Sequence, residues 1–534
     1  MHKIALLCVI LCAAAPGHSV DKTLEPKAHG RDVVEAVVDR IQKSNVFSDD
    51  KDYLRRVAYV ESRFGDHSST YRSGYYGGIW QVDSFKATQQ DWAGNVTSPA
   101  LKKIHKDIKE KMDIDWMQVN REDLLKPFYS GLAARIYIAL TEKSRGPIPD
   151  DIAGQDRYWK DWYNTKAGKG KYGDFESRVR EMLKKDMTRS GGRIDLMMVI
   201  DGSGSIGRDS FKTALDSVAG MAGSFDRRQA NIGVVVFSDG AAVPISLVNN
   251  LTAEELQQTI QSITYPDDAT NTYAGIMAAV GEFRALPADR KAAGVPRVIN
   301  VFTDGKHNRG RDPAYAAEEA TKEGIVCNAF GIGYEGIDRN ELEAFTSPTS
   351  GHIFSTLSYD TLSEQISQIA RKTKTVPLTP QIGSVVKEEM AEVGDKRYYR
   401  LGVPSSGTTI TLNEEKGSAR GYWSYTVEQP SSALYDGVLT NGKTFIPAPP
   451  STKPGQRRRR DTEAENSTEA GPTDDVIERG AVFIAIESLA DNTTVTMKTD
   501  PGDVSAATSL SASHIGVVIF SSSLTLIMTR LRCL

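Results

Sequence analysis

The chain is 534 residues long, with 25% charged residues and a formal net charge of −4. This length suffices for about three or four domains, each with its own hydrophobic core. The nearly balanced charge gives no support for a nucleic-acid partner or for binding to an anionic surface.

The N-terminal segment Met1–Ala15 has one lysine, an apolar run and small residues at its end. This pattern is typical of a secretory signal peptide, which we predict over residues 1–19. The alternative, a membrane anchor, would require a longer apolar run. Two of the four cysteines would leave with the signal, and the remaining two cannot form a disulfide framework. Four glycosylation motifs fit a chain that enters the secretory pathway: Asn95, Asn250, Asn466 and Asn492.

Residues 30–185 carry apolar residues at three- and four-residue spacing without alternating strands, which predicts an all-α domain. One predicted helix ends in Glu61-Ser62-Arg63-Phe64, and a Gly- and Tyr-rich loop leads from it to GGIWQVD at Gly77–Asp83. Apolar surroundings raise the pKa of a glutamate, so that it keeps a proton for the leaving oxygen of a sugar. The alternative is an ordinary helix in which Glu61 forms a cap or an ion pair.

Four motifs follow one another in this region: ESRF, GGIWQVD, the apolar YSGLAARIYIALTEK, and the turn that begins at Tyr163-Asn164. Their order resembles that of goose-type lysozymes and soluble lytic transglycosylases. The resemblance implies a lysozyme-like fold that cleaves or binds peptidoglycan, with Glu61 as the catalytic acid and Asp83 as a second acid. It implies a sugar-binding cleft lined by Gln81, Tyr163 and Asn164. The chain departs from the family in its turn, YNTKAGKG, and in a tryptophan where methionine is usual.

Between residues 193 and 373, strand-like and helix-like segments alternate with short connections. This predicts a doubly wound α/β domain, in which helices cover both faces of a parallel sheet. The first strand, IDLMMVID, is an unbroken apolar run, as expected for a strand buried on both faces. Further strands are predicted at 231–238, 243–247, 297–304, 325–333 and 352–356.

The first strand ends in Asp201-Gly202-Ser203-Gly204-Ser205, which offers a carboxylate and two hydroxyls at alternate positions. Thr270 and Asp304 supply oxygens from two later loops, and ligands of such sheets bind at the carboxyl ends of strands. Hard cations prefer oxygen ligands. The alternative is a loop that serves only as a turn.

The pattern DxSxS…T…D resembles the metal-ion-dependent adhesion site of the von Willebrand factor A family. The resemblance implies Mg²⁺, or Mn²⁺, bound by Asp201, Ser203, Ser205, Thr270 and Asp304, some of them through water. With only two negative charges among its ligands, the ion would keep an exchangeable position. The Asp or Glu carboxylate of a protein partner could fill that position.

Residues 376–500 show alternating apolar runs between Gly-, Pro- and Ser-rich turns, which predicts an all-β sandwich. Residues 446–475 have the composition of a disordered insert. Within it, Arg457–Arg460 is either a site for a processing protease or a solvated charge run. The C-terminal segment 505–534 ends in an apolar run that is marginal for a membrane span. Small residues before this run favour a glycosylphosphatidylinositol signal, whereas two arginines after it favour a stop-transfer segment.

The sequence therefore predicts a multidomain cell-surface protein with a metal-dependent binding domain, an N-terminal lysozyme-like domain and a C-terminal membrane anchor. Two functions remain open. In the first, the chain cleaves bacterial peptidoglycan while the α/β domain holds a partner. In the second, it is a non-enzymatic adhesion or matrix protein whose lysozyme-like domain only binds glycans.

Overall fold

The computed structural model describes residues 19–90, 98–164, 168–188, 192–305, 307–332, 339–347, 353–356, 359–449 and 481–502. Several predictions lie outside these residues: the signal peptide up to residue 18, Asn95, Asn466, Arg457–Arg460 and the anchor at 505–534. Within the described ranges, no helix has both the length and the apolar character needed to cross a membrane.

A short strand, β1 (Val20–Asp21), precedes a domain whose described α-helices share one hydrophobic core. The helices are α1 (Arg31–Lys43), α2 (Tyr53–Ser62), α3 (Pro99–Met112), α4 (Pro127–Arg145), α5 (Ile152–Tyr158) and α6 (Asp174–Thr188). In α1, the buried residues recur at helical spacing from Val33 to Ile41, which gives the helix one apolar face. A π-helical turn, Trp159–Tyr163, follows α5 directly. The predicted helical character of this region is confirmed.

The second domain is built on a six-stranded sheet in the order β4-β3-β2-β5-β6-β7. Its strands are β2 (Ile194–Asp201), β3 (Ala230–Phe237), β4 (Ala241–Ile245), β5 (Arg297–Thr303), β6 (Ile325–Ile332) and β7 (Ile353–Thr356). All are parallel except β4, which forms an antiparallel edge. Every residue of the central strand β2 is buried, because helices cover both faces of the sheet.

The helices that the structure describes around these strands are α7 (Arg208–Ala222), α8 (Ala253–Gln261), α9 (Thr272–Arg284), α10 (Ala288–Ala292), α11 (Pro313–Lys322), α12 (Arg339–Phe345) and α13 (Tyr359–Lys374). The predicted doubly wound architecture is confirmed. The edge strand was predicted at 243–247, but it begins two residues earlier. A tight turn, in which the Ser238 amide donates to the Gly240 carbonyl, already brings Ala241 opposite Phe237. The short helices α10 and α12 were not predicted.

The third domain consists of two four-stranded antiparallel sheets whose inner faces share one apolar core. The strands are β8 (Val385–Met390), β9 (Lys396–Gly402), β10 (Thr408–Lys416), β11 (Ala419–Ser424), β12 (Leu434–Tyr435), β13 (Gly437–Leu439), β14 (Gly442–Ile446), β15 (Ala481–Ser488) and β16 (Thr493–Pro501). β12 lies outside the two sheets and pairs with β1. The insert predicted from residue 446 starts too early, because Ile446 is buried and pairs with Thr408.

Buried ion pairs connect the helical domain to the last helix of the α/β domain. Arg371 of α13 lies 3.1 Å from the carboxylate of Glu35 and 2.8 Å from that of Asp52. Arg55 of α2 shares Glu35, at 2.7 Å, and also pairs with Asp186 at 2.8 Å. These arginines hold the pKa of Glu35 well below its usual range, although burial alone would raise it. Glu35, Asp52 and Asp186 therefore each pair with an arginine at this junction.

Candidate functional site

The Asp201 loop lies at the carboxyl edge of the sheet, where β2 ends between its parallel neighbours β3 and β5. Gly202 allows this loop to approach the following segment closely, since a Cβ there would lie 2.7 Å from Pro266. Ser203 then forms a bridge with Asp268, and the Gly204 amide donates to the Asp268 carbonyl at 2.7 Å. The loop is thus fixed by backbone contacts on the segment that carries Thr270.

Four of the five predicted metal ligands are joined in one chain of hydrogen bonds. Asp201 Oδ1 accepts a bond from the Ser203 amide at 2.9 Å. The hydroxyl oxygens of Ser203 and Ser205 are 3.1 Å apart, and the Ser205 hydroxyl donates to Asp304 Oδ1 at 3.1 Å. Two carboxylates and two hydroxyls from two separate loops therefore face one another.

Thr270, the fifth predicted ligand, is held through its backbone. Its amide donates to Asn308 Oδ1 at 2.9 Å, and its carbonyl accepts bonds from the amides of Asn308 and Arg309. Asn308 belongs to the loop that follows Asp304. Among the described residues the Thr270 hydroxyl has no hydrogen-bond partner, so its oxygen remains available to a ligand.

The electrostatics of this site favour a cation. Burial raises the pKa of Asp201 to about 6, and the neighbouring Asp304 charge adds to the rise. Burial also raises the pKa of Asp304. Within the described part of the chain, neither carboxylate has a basic side chain within ion-pair distance. Desolvated, unpaired carboxylates combined with hydroxyl oxygens suit a hard divalent cation.

The hydroxyls are essential to this donor set. The described residues contain no cluster of three or more His, Cys, Asp or Glu side chains that could hold a metal. Two carboxylates alone would leave most positions of a hard cation to water. Ser203, Ser205 and Thr270 raise the number of protein oxygens to at least five, which fits the residue types predicted from the sequence.

The sequence of the α/β domain matches a known family. The von Willebrand factor type A domain model matches residues 195–368, about a third of the chain. The collagen alpha-1(XXI) chain of Xenopus laevis is 31% identical over 32% of this chain and 17% of its own length. Matrilin-2 of Mus musculus is 28% identical over 32% of this chain and 18% of its own. The chain therefore spans less than a fifth of each of these curated relatives.

Among solved structures, one of proximal thread matrix protein 1 from the mussel byssus, with a zinc-occupied metal-ion-dependent adhesion motif, is 20% identical. The match covers 39% of this chain and 53% of that chain, with a TM-score of 0.31.

Residues 195–368 thus correspond, in sequence and in their α/β fold, to a von Willebrand factor type A domain, and they carry the DxSxS…T…D pattern of oxygen-bearing residues.

A second acidic site lies in the helical domain. Glu61 is the penultimate residue of α2, and its Oε1 accepts a hydrogen bond from Trp159 Nε1 at 2.7 Å. Burial raises the pKa of Glu61 to about 7, and the nearby Asp83 charge adds to the rise. The Trp159 bond and the positive charge of Arg178 act in the opposite direction. The result is a partly exposed carboxyl group that holds its proton near neutral pH.

The other residues predicted around Glu61 have internal partners. Asp83 is exposed; burial raises the pKa of the Tyr75 hydroxyl, and the nearby Asp83 charge adds to that rise. The Gln81 side chain accepts from Arg72 at 2.8 Å and donates to the Thr70 carbonyl at 3.2 Å. A separate pair of contacts fixes the predicted turn: the Tyr163 hydroxyl donates to the Trp80 carbonyl, and Asn164 accepts from Lys160.

Two residues of these sites were missed by sequence reasoning. Trp159 is 98 positions from Glu61, and no local pattern links the two. Thr303, whose hydroxyl donates to Asp201 Oδ2 at 2.6 Å, could have been found, because it ends the strand beside β2.

Of the predicted glycosylation sites, Asn250 and Asn492 are exposed, and their modification stays a prediction.

The raised pKa of Asp201 predicts that the difference in stability between Asp201→Asn and the parent chain has opposite signs without and with metal. Because the folded-state pKa is about 6 against 3.8, this carboxyl favours folding below about pH 4 and loses that contribution as pH rises through 6. In EDTA at pH 7.5, Asp201→Asn should therefore be more stable than the parent chain, by up to roughly 3 kcal/mol. With Mg²⁺ the order should reverse. Thermal melting of both chains at pH 4 and 7.5 checks this, and a variant less stable in EDTA would contradict it.

Proposed function

We propose that residues 195–368 bind a protein partner through a divalent cation, Mg²⁺ or Mn²⁺, held by Asp201, Ser203, Ser205, Thr270 and Asp304. The supporting observation is the pair of desolvated carboxylates, one bonded to the Ser203 amide and the other to the Ser205 hydroxyl, with no basic side chain of the described residues to neutralise them. Such a pair is repulsive without a cation.

The geometry leaves one side of the site open. Gly204 and Ser205 are exposed, whereas Asp201 and Ser203 are buried beneath them. When bound, the cation supplies a positive charge with an exchangeable coordination position. The protein residues hold it by oxygens that carry only two negative charges. An Asp or Glu carboxylate on a partner is therefore the complementary group.

We further infer that the domains extend over residues 30–185, 193–373 and 376–500, and that the chain is extracellular. The predicted secretory signal over residues 1–19 and the sequons support this location. Attachment to a membrane through residues 505–534 belongs to the same proposal.

Metal binding is the first test of this function. Asp201→Ala in the full chain should abolish Mn²⁺ binding in calorimetry, because it removes one of two charges. Thr270→Ala should weaken binding less, because only a neutral oxygen is lost. Thr213→Ala, which alters a partly exposed threonine on α7, is the matched control and should bind as the parent chain does. Absence of binding heat from the parent chain would contradict the proposal.

We propose a second function, cleavage of peptidoglycan by the helical domain, on the observation that Glu61 keeps its proton near neutral pH. A general acid must hold a proton at the working pH, and a partly buried carboxyl with a pKa of about 7 does so near neutral pH. Trp159 orients the group by its bond to Oε1, so the remaining oxygen can turn towards a sugar. The alternative is a domain that binds glycans without cutting them.

Glu61→Gln should reduce release of soluble fragments from peptidoglycan by at least roughly 10²–10⁴-fold, since the amide cannot donate the proton. The activity of the parent chain should fall as pH rises through about 7. Trp159→Phe removes a bond that lowers the Glu61 pKa, so this fall should move to higher pH. Peptidoglycan binding without release of fragments by the parent chain would support the glycan-binding alternative instead. Anhydro-sugar ends among the products would indicate a transglycosylase, and reducing ends a hydrolase that uses Asp83.

A further inference from the structure

An exposed arginine with two aromatic neighbours borders the proposed metal site. The guanidinium carbon of Arg311 lies 4.8 Å from the ring centroid of Tyr315 and 5.4 Å from that of Tyr273. Arg311 is exposed, and Tyr315 is 53% exposed. Among the described residues, no carboxylate lies within ion-pair distance of Arg311. This guanidinium is therefore positioned by its neighbours without being neutralised by them.

Backbone contacts connect Arg311 to the metal-site loop. The amides of Asn308 and Arg309 both donate to the Thr270 carbonyl, at 3.0 and 3.2 Å. Gly310, at φ +79°, lies so close to Asn271 that a Cβ would stand 2.2 Å from its side-chain oxygen. Only glycine fits that position, so the chain turns tightly beside Thr270 and presents Arg311 next to it.

The neighbouring arginine differs in its electrostatic state. Arg309 Nε lies 2.7 Å from Asp239 Oδ1, and this pair is exposed on the same edge of the sheet. Its positive charge is matched locally, whereas that of Arg311 is not. Arg311 should consequently gain more than Arg309 from an acidic partner.

Negative charges lie on the side of Thr270 that is remote from Arg311. Asp267 and Asp268 are both exposed there, and their backbone groups bond to Gly202 and Gly204 of the metal loop. Arg208 lies over the Tyr265 ring at this end, and the two aspartates outnumber it. Thr270 is thus bordered by the acidic side chains that precede it in the chain and, from the neighbouring loop, by Arg311.

We propose that the partner is a protein segment with two acidic side chains, one for the metal site and the other for Arg311. Basic or neutral residues of the segment would face Asp267 and Asp268. This inference rests on the metal-dependent binding proposed above and specifies its ligand. Arginine and tyrosine are the residue types most enriched among those that dominate binding energy at interfaces. A guanidinium held between rings also presents a preorganised fork to a carboxylate.

A sulfated glycan shares the anionic chemistry but fits the surface less well. A polyanion that reaches from the metal site to Arg311 would also continue past Asp267 and Asp268, where like charges repel it. A peptide can change the sign of its charge from one residue to the next. The exposed face of Tyr315 additionally offers apolar area to a peptide side chain.

The test uses the full chain immobilised in Mn²⁺ and a library of short peptides with a fixed glutamate and random flanks. Bound peptides are eluted with EDTA and sequenced. We expect acidic residues to be enriched on one flank and basic residues on the other. Arg311→Glu should lose the acidic enrichment and bind the selected peptides roughly three- to tenfold more weakly. Its affinity for Mn²⁺ should be at least that of the parent chain, because the substitution adds negative charge near the cation. Lys322→Glu, which reverses an exposed charge at the far end of α11, should behave as the parent chain does.

The contradicting outcomes separate the two levels of the proposal. Peptides eluted by EDTA without a charge preference, or with one that Arg311→Glu leaves intact, would overturn this inference while the metal-dependent function stands. No EDTA-sensitive peptides at all would overturn both. EDTA-sensitive, Arg311-dependent binding of heparin that exceeds the binding of every selected peptide would overturn the assignment to a protein segment.

Discussion

The parallel register of β2 and β5 forces two acidic residues together. Ile200 lies opposite Phe302, so the next residues, Asp201 and Thr303, leave the sheet side by side, and Asp304 follows at once. Both carboxyl groups are desolvated by the covered sheet, and their mutual repulsion raises the pKa of Asp201 further. Hydrogen bonds from Thr303, Ser203 and Ser205 reduce this cost without adding positive charge. The fold therefore creates a binding site for a cation through its strand register.

A comparison with other acidic residues that are removed from solvent shows why Asp201 and Asp304 are a candidate binding site. Glu35 is partly buried, but Arg55 and Arg371 lie beside it and hold its pKa below the usual range. Asp201 is buried and Glu61 is partly exposed, and among the described residues neither forms an ion pair with a basic side chain, so that burial raises the pKa of each. A carboxylate that is paired with an arginine stabilises the junction between domains. An unpaired, desolvated carboxylate instead has a raised pKa, and binding a proton or a metal cation to it is favourable. The same burial therefore has opposite consequences, depending on the neighbouring charge.

Most of the α/β domain could be predicted from the sequence, because the features that define its strands and helices lie within short stretches of the chain. The apolar run of β2, its abrupt end at Asp201 and the alternation of segments that follow all lie within short windows. Two other contacts, that of Trp159 with Glu61 and that of Arg371 with Glu35, depend on how helices distant in sequence pack together. Residue spacing alone cannot predict them. The early start of β4 depended on a turn of unusual tightness at Ser238–Gly240. Arg311 drew no attention in the sequence, since only the fold places it beside two tyrosines.

The central claim is that the two desolvated carboxylates and their hydroxyl neighbours hold a divalent cation. Crystals of the full chain grown in Mn²⁺ would test it most directly, by anomalous scattering at the manganese edge. We expect a strong anomalous peak in contact with the hydroxyl oxygens of Ser203 and Ser205, with Asp201, Thr270 and Asp304 around it. A map without a peak at this edge of the sheet, while the protein remains folded and the metal is present, would contradict the account.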